Sequence, residues 1–106
     1  MTEIEIPFND WSKKRLINKN KTSTSRIKRY GKKGDIFFVD TIPYEIIDVQ
    51  KYTIAFVALH FFKEEGANSK EEFIKIWNKI HPKKTYEVDP FRLVWYHTFK
   101  QLNMIN

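Results

Sequence analysis

Hydrophobic and polar positions change period several times along the chain, and each change predicts an element. Ile4, Glu5, Ile6, Pro7 and Phe8 alternate, which predicts a short edge strand over 4–8. Asn9 or Asp10 then caps a helix running from Trp11 to about Lys19, with Trp11, Leu16 and Ile17 as a thin apolar stripe. Residues 19–35 show no clear period, and their serines and threonines favour extended backbone or turns. DIFFVD (35–40), YEIIDV (44–49) and YTIAFVALHF (52–61) read as strands, the last with the option of turning helical at its end, and Thr41-Ile42-Pro43 reads as a turn. Ser69 and Glu72 form an S-x-x-E capping box. Phe73, Ile76, Trp77 and Ile80 follow at helical spacing, and His81-Pro82 stops the helix. FRLVWYHTF (91–99) alternates as a final strand with aromatics on both faces.

This order lacks a regular βαβ alternation and predicts an α+β class of about five to six strands with two or three helices. At 106 residues, 42% hydrophobic and 16% aromatic, the chain is expected to form a single domain over 1–106 with a real core. It contains no cysteine, which removes disulfides and thiolate chemistry and fits a reducing, cytoplasmic compartment. The opening MTEIEIPFND is acidic and alternating, unlike a signal peptide. The longest apolar run, 54–62, is half a membrane span, so no membrane partner is expected.

Charge sharpens the picture. The net charge is +6, yet residues 11–34 hold ten Lys and Arg and no acid, while the rest holds nine bases against thirteen acids. A body of −4 therefore carries a segment of +10. Such a segment attracts phosphate backbones. Lys28, Arg29, Tyr30, Lys32 and Lys33 are its candidate contacts, with Tyr30 able to stack on a base.

Specific chemistry is sparse. His60, His81 and His97 lie far apart, so no metal or cofactor is expected, and His97, among apolar neighbours, reads as a hydrogen-bonded core residue. No Walker A, GxGxxG or GxSxG motif is present. What remains is Lys21, Thr24 and Arg26, then Glu64 and Glu65. In an extended segment 22, 24 and 26 share one face and 21, 23 and 25 the other. Neighbouring cations and burial both lower a lysine's pKa, which would fit Lys21 as a base or nucleophile, with Thr24 the hydroxyl beside it and Arg26 an anion clamp.

These residues resemble the ASCH family, small PUA-like β-barrels. Its signature is G-x-K-x-x-(T/E)-x-R after the first helix, then a G-D that opens a strand. Here the run is K-N-K-T-S-T-S-R at 19–26, followed by Gly34-Asp35. The family's Glu before a capped helix falls on Glu65 of FKEEGANSKEEF, with Glu64 as the one-residue shift. Lys19 stands where the family has glycine, a position that matters if the backbone there needs positive φ. The resemblance implies a cleft that binds RNA, a nucleotide or a modified nucleoside, with Lys19 and Arg26 among the binding residues. Its alternative implication is a metal-independent amidohydrolase acting on acetylated cytidine, or a ribonuclease. In that case Lys21, Thr24 and Glu65 would be the catalytic residues. The residues leave open whether the chain is a monomer or a dimer.

Overall fold

A computed structural model describes residues 2–102. Its elements are α1 (Asp10–Ile17), β1 (Ser23–Arg26), β2 (Ile36–Val39), β3 (Ile42–Thr53), α2 (Ile54–His60), α3 (Lys70–Ile80) and β4 (Leu93–Gln101). The strands form one curled antiparallel sheet in the order β1-β4-β3-β2. The class is α+β, a half-barrel with three helices, and the strand number among the described residues is four rather than five or six.

Two expected strands, 4–8 and 52–61, are absent, β1 is a strand where the sequence read only extended backbone or turns, and the β2–β3 turn is displaced. The 4–8 segment is no strand: a single parallel bridge, Glu3 to Ile36, lies just before it, only the Ile4 N–H reaches β2, at the Ile36 carbonyl, and Ile6 turns into the core while Pro7 has no N–H to offer a ladder. The predicted strands at 44–49 and 52–61 are one strand plus one helix. β3 runs unbroken through the polar Gln50-Lys51 pair because those side chains face solvent, and it bends at a bulge between Ile46 and Asp48. The Thr53 hydroxyl then accepts the Phe56 N–H at 3.1 Å and starts α2, whose buried residues Ile54, Val57 and Ala58 fall at helical spacing. The β2–β3 turn is Asp40-Thr41, both at positive φ (55° and 143°), so Ile42 and Pro43 already belong to β3.

The capping of α3 follows the sequence closely. Ser69 Oγ accepts the Glu72 N–H at 3.0 Å, while the Glu72 carboxylate reaches back to the Asn68 N–H at 2.8 Å, one residue before the cap. Phe73 and Trp77 are buried, and the His81 N–H closes the helix on the Trp77 carbonyl at 2.8 Å.

Two apolar clusters flank the sheet. Val94 and Tyr96 of β4 join Ile54, Val57, Phe73 and Trp77 under α2 and α3. Phe99 joins Phe37, Tyr44, Ile46 and Leu16 beside α1. Even- and odd-numbered residues of one strand thus serve different clusters, as its alternation requires. Among the described residues no helix is long and apolar enough to cross a membrane.

Candidate functional site

The site begins with how α1 ends. Asn18 caps the helix and Lys19 follows at φ 65°, in the left-handed region. The Lys19 N–H bonds the Leu16 carbonyl at 3.0 Å and the Asn20 N–H bonds the Arg15 carbonyl at 2.8 Å. This pair of bonds is a Schellman cap, whose left-handed residue is usually glycine. The cap turns the chain inward, so that Lys21 is only 4% exposed.

The connection between α2 and α3 meets it there. The Thr22 and Ser23 N–H groups both donate to the Glu64 carbonyl, at 2.7 and 3.1 Å. That clamp brings Glu65 against β1. Lys21 Nζ donates to the Glu65 carbonyl oxygen at 3.0 Å and lies 3.3 Å from Glu65 Oε1. Ser25 Oγ donates to Glu65 Oε2 at 2.6 Å. All three residues are buried. Burial pulls the Lys21 amine below its ordinary range, with Arg26 adding to the fall and Glu65 opposing it.

Arg26 and Thr24 lie on the alternate side of β1. Arg26 Nε donates to Thr24 Oγ1 at 3.0 Å and its Nη2 donates to the Pro7 carbonyl at 2.6 Å. The guanidinium also sits 4.9 Å over the Phe8 ring and 5.3 Å over that of Tyr30. His97, completely buried, holds β1 from behind. Its Nδ1 is 3.2 Å from the Thr24 carbonyl and its Nε2 accepts the Tyr30 N–H at 3.1 Å. Both contacts are satisfied by the neutral imidazole with its proton on Nδ1. Burial lowers the His97 pKa, which favours that neutral form.

Lys21, Thr24, Ser25, Arg26 and Glu65 all line one cavity of about 470 Å³. Its walls are Trp11, Ile27, Phe73, Ile76, Trp77 and His81, the His81 ring stacked on Trp77 at 3.9 Å. The arrangement is a mostly apolar, aromatic-walled cavity with a charged, hydrogen-bonded floor, the form that takes a small organic ligand.

The remaining candidates spread out from this centre. Lys28 and Tyr30 line the cavity, and the Lys28 ammonium lies 4.8 Å over the Tyr30 ring. Arg29 donates to the Gly31 carbonyl at 2.6 Å and, with Lys32, borders a separate shallow hollow. Lys33 is exposed in the turn before Gly34. Lys19 is not on the cavity but on a second groove, which it shares with Glu64. Of the two acids, Glu65 faces the cavity. The hydroxyl on its carboxylate is that of Ser25, not Thr24. Ser25 was not singled out from the sequence, although strand alternation already set it on the face of Lys21. Trp77 and His81, spaced i and i+4 on one helix stripe, gave no signal that separated a cavity wall from core.

Neither a family model nor a curated protein matches the sequence. Solved structures do match its fold. The hypothetical protein PH0355 superposes with a TM-score of 0.69 at 15% identity, covering 96% of this chain and 100% of that one. An ASCH domain from Lactobacillus crispatus gives 0.67 at 14% identity, covering 94% of this chain and 78% of that one. Protein PF0455 from Pyrococcus furiosus gives 0.58 at 12% identity, with 96% of each chain covered. At such identities the likeness is one of architecture, and the half-barrel with its three helices is the fold of an ASCH domain.

Proposed function

We propose that the cavity binds a nucleoside, free or as one unit of an RNA chain. The observation that carries this reading is the buried Lys21–Glu65–Ser25 cluster at the floor of an aromatic-walled cavity of about 470 Å³. A nucleobase offers a donor and acceptor edge to such a floor and flat faces to rings such as Trp77 and His81. The basic segment outside supplies attraction to phosphate. The test is a titration of single-stranded RNA and of nucleosides followed by tryptophan fluorescence at several salt concentrations. Saturable quenching is expected, with RNA affinity falling by about 0.7 in log K per phosphate contacted for each unit of log salt. Absence of saturable binding by either ligand class would refute the reading.

A second reading, hydrolysis of an acylated base amine, draws on the Lys21 amine, which burial shifts toward its neutral form beside a carboxylate and a hydroxyl. Amide hydrolysis needs a group to take the proton of the attacking water or hydroxyl, a donor for the leaving amine, and positive charge for the oxyanion. Lys21, Glu65 and the hydroxyls of Thr24 and Ser25 are of the right kinds. Metal-free deacetylation of acetylcytidine, followed chromatographically, is the measurement. Loss of ~10²–10⁴ in rate on Lys21→Ala is expected, and unaltered turnover in that variant would remove the assignment.

A further inference from the structure

The cavity follows an edge of the sheet. Five consecutive residues, 24–28, all line it. Thr24 and Arg26 point to one face of β1 and Ser25 to the other, as successive residues of a strand do. Residues of both faces share one cavity only where that cavity wraps the edge of the strand. β4 occupies the other edge of β1. The cavity therefore meets the open edge, and with it the main chain.

The register decides which main-chain groups open outward. The Phe99 N–H donates to the Thr22 carbonyl at 3.0 Å. The pairs of the same kind, Thr24 with His97 and Arg26 with Trp95, turn their N–H and C=O groups towards each other, whereas Ser23 and Ser25 turn theirs away from β4. The Ser23 N–H follows this sense, because it donates at 3.1 Å to the Glu64 carbonyl in the α2–α3 connection. That connection covers the edge at Ser23 but not at Ser25. Among the described residues the Ser25 N–H and carbonyl have no hydrogen-bond partner, although Ser25 is only 6% exposed. Buried backbone groups left unpaired are rare in folded proteins. A donor and an acceptor in that state, turned to a cavity, are placed for a ligand.

We propose that the Ser25 main chain reads the base in this cavity, exchanging two hydrogen bonds with its Watson–Crick edge. The inference rests on the reading of the cavity as a nucleoside site and adds which edge of the base is read, and by what. The N–H and C=O of one extended residue lie side by side, so the ligand must set an acceptor beside a donor. Every ordinary base carries such a neighbouring pair on its Watson–Crick edge. The site is then tolerant of base identity and intolerant of a methyl group on that edge. An extended peptide would meet Ser25 with the same two bonds, but β1 ends at Arg26 and offers it no further ladder. A flat base uses those two bonds and the aromatic wall of α3 together.

The test titrates the whole chain with the four ordinary nucleosides, with 3-methyluridine and 1-methylguanosine, and with 5-methyluridine, whose methyl group lies off that edge. Amide and indole NMR signals report the binding. Ordinary nucleosides and 5-methyluridine are expected to move the Trp77 indole signal, to shift the Ser25 amide proton downfield and to slow its exchange with solvent. The two edge-methylated nucleosides should bind at least about tenfold more weakly than their parents, because the methyl group leaves the Ser25 carbonyl buried and unpaired. Nucleosides that move Trp77 and leave the Ser25 amide unchanged, or edge-methylated nucleosides that bind as well as their parents, overturn the Ser25 assignment and leave the cavity reading standing. No response from any ordinary nucleoside overturns both. A short extended peptide that shifts the Ser25 amide where nucleosides fail would likewise overturn the base as occupant.

Discussion

The Lys21 ammonium bonds both the carboxylate and the backbone carbonyl of Glu65, at 3.3 and 3.0 Å, across 44 residues of chain. A lysine and a glutamate buried together are costly to desolvate, and the pair persists because further bonds satisfy both partners. Here the Glu65 carbonyl takes one ammonium hydrogen, and the Ser25 hydroxyl donates to the second carboxylate oxygen.

Removing both partners should therefore cost less than the two single removals added together. Lys21→Met leaves a buried, unpaired carboxylate and is expected to cost ~3–5 kcal/mol. Lys21→Met with Glu65→Gln should cost clearly less than the sum of the single changes. Urea unfolding of the four proteins measures the coupling, and strict additivity would show that the pair does not interact.

Lys19 bears a left-handed backbone at φ 65°, where a side chain other than glycine's is strained by ~1–2 kcal/mol. Lys19→Gly relieves that strain but loosens the unfolded chain. We expect a net gain of ~1 kcal/mol and a Tm higher by roughly 4 °C. A lower Tm in a thermal melt would show that the Lys19 side chain is worth more than the relief.

Stability should depend on pH through His97. Burial depresses its folded pKa, as it does for His81, so the unfolded chain binds more protons just below the ordinary histidine value. Stability contributed by the neutral ring is present above about pH 6.5 and is lost as pH falls through the folded pKa. Urea midpoints should be level above pH 7 and decline as pH falls below about 6.5, and His97→Gln should flatten part of that decline. An increase on acidification would contradict the neutral ring.

Ser25 and Thr24 separate the two hydroxyl roles. On the hydrolytic reading Ser25→Ala, which strips the 2.6 Å bond from Glu65, should lower turnover more than Thr24→Ala, whose hydroxyl accepts from Arg26. Rates of acetylcytidine hydrolysis for the two variants decide it, and the reverse order would assign the reacting hydroxyl to Thr24.

The helices with polar signals at their ends were legible in the sequence. Asn9 before α1 and Ser69 with Glu72 before α3 announce themselves because a cap is a local hydrogen bond. The 52–61 run was not legible. The unbroken apolar stretch from Ile54 to Leu59 carries no period, and the choice of helix was made by the Thr53 cap and by burial against α3. The site divides in the same way. Lys21, Arg26 and Glu65 could be named from motif spacing. That Ser25 rather than Thr24 meets the carboxylate depends on where the Glu64 carbonyl clamps the chain, a contact between segments about forty residues apart.

β1 has four residues and, among the described residues, pairs only with β4, Ser23 opposite Thr98 across 75 positions of sequence. A chain leaving the ribosome displays its lysine-rich stretch long before β4 exists to receive it. Pairings this distant in sequence close slowly, because loop entropy is lost before any contact compensates. The cavity floor therefore matures late. Lys21 finds Glu65 within the first 66 residues, but β1, the strand that continues from it, gains its ladder partner only when β4 docks.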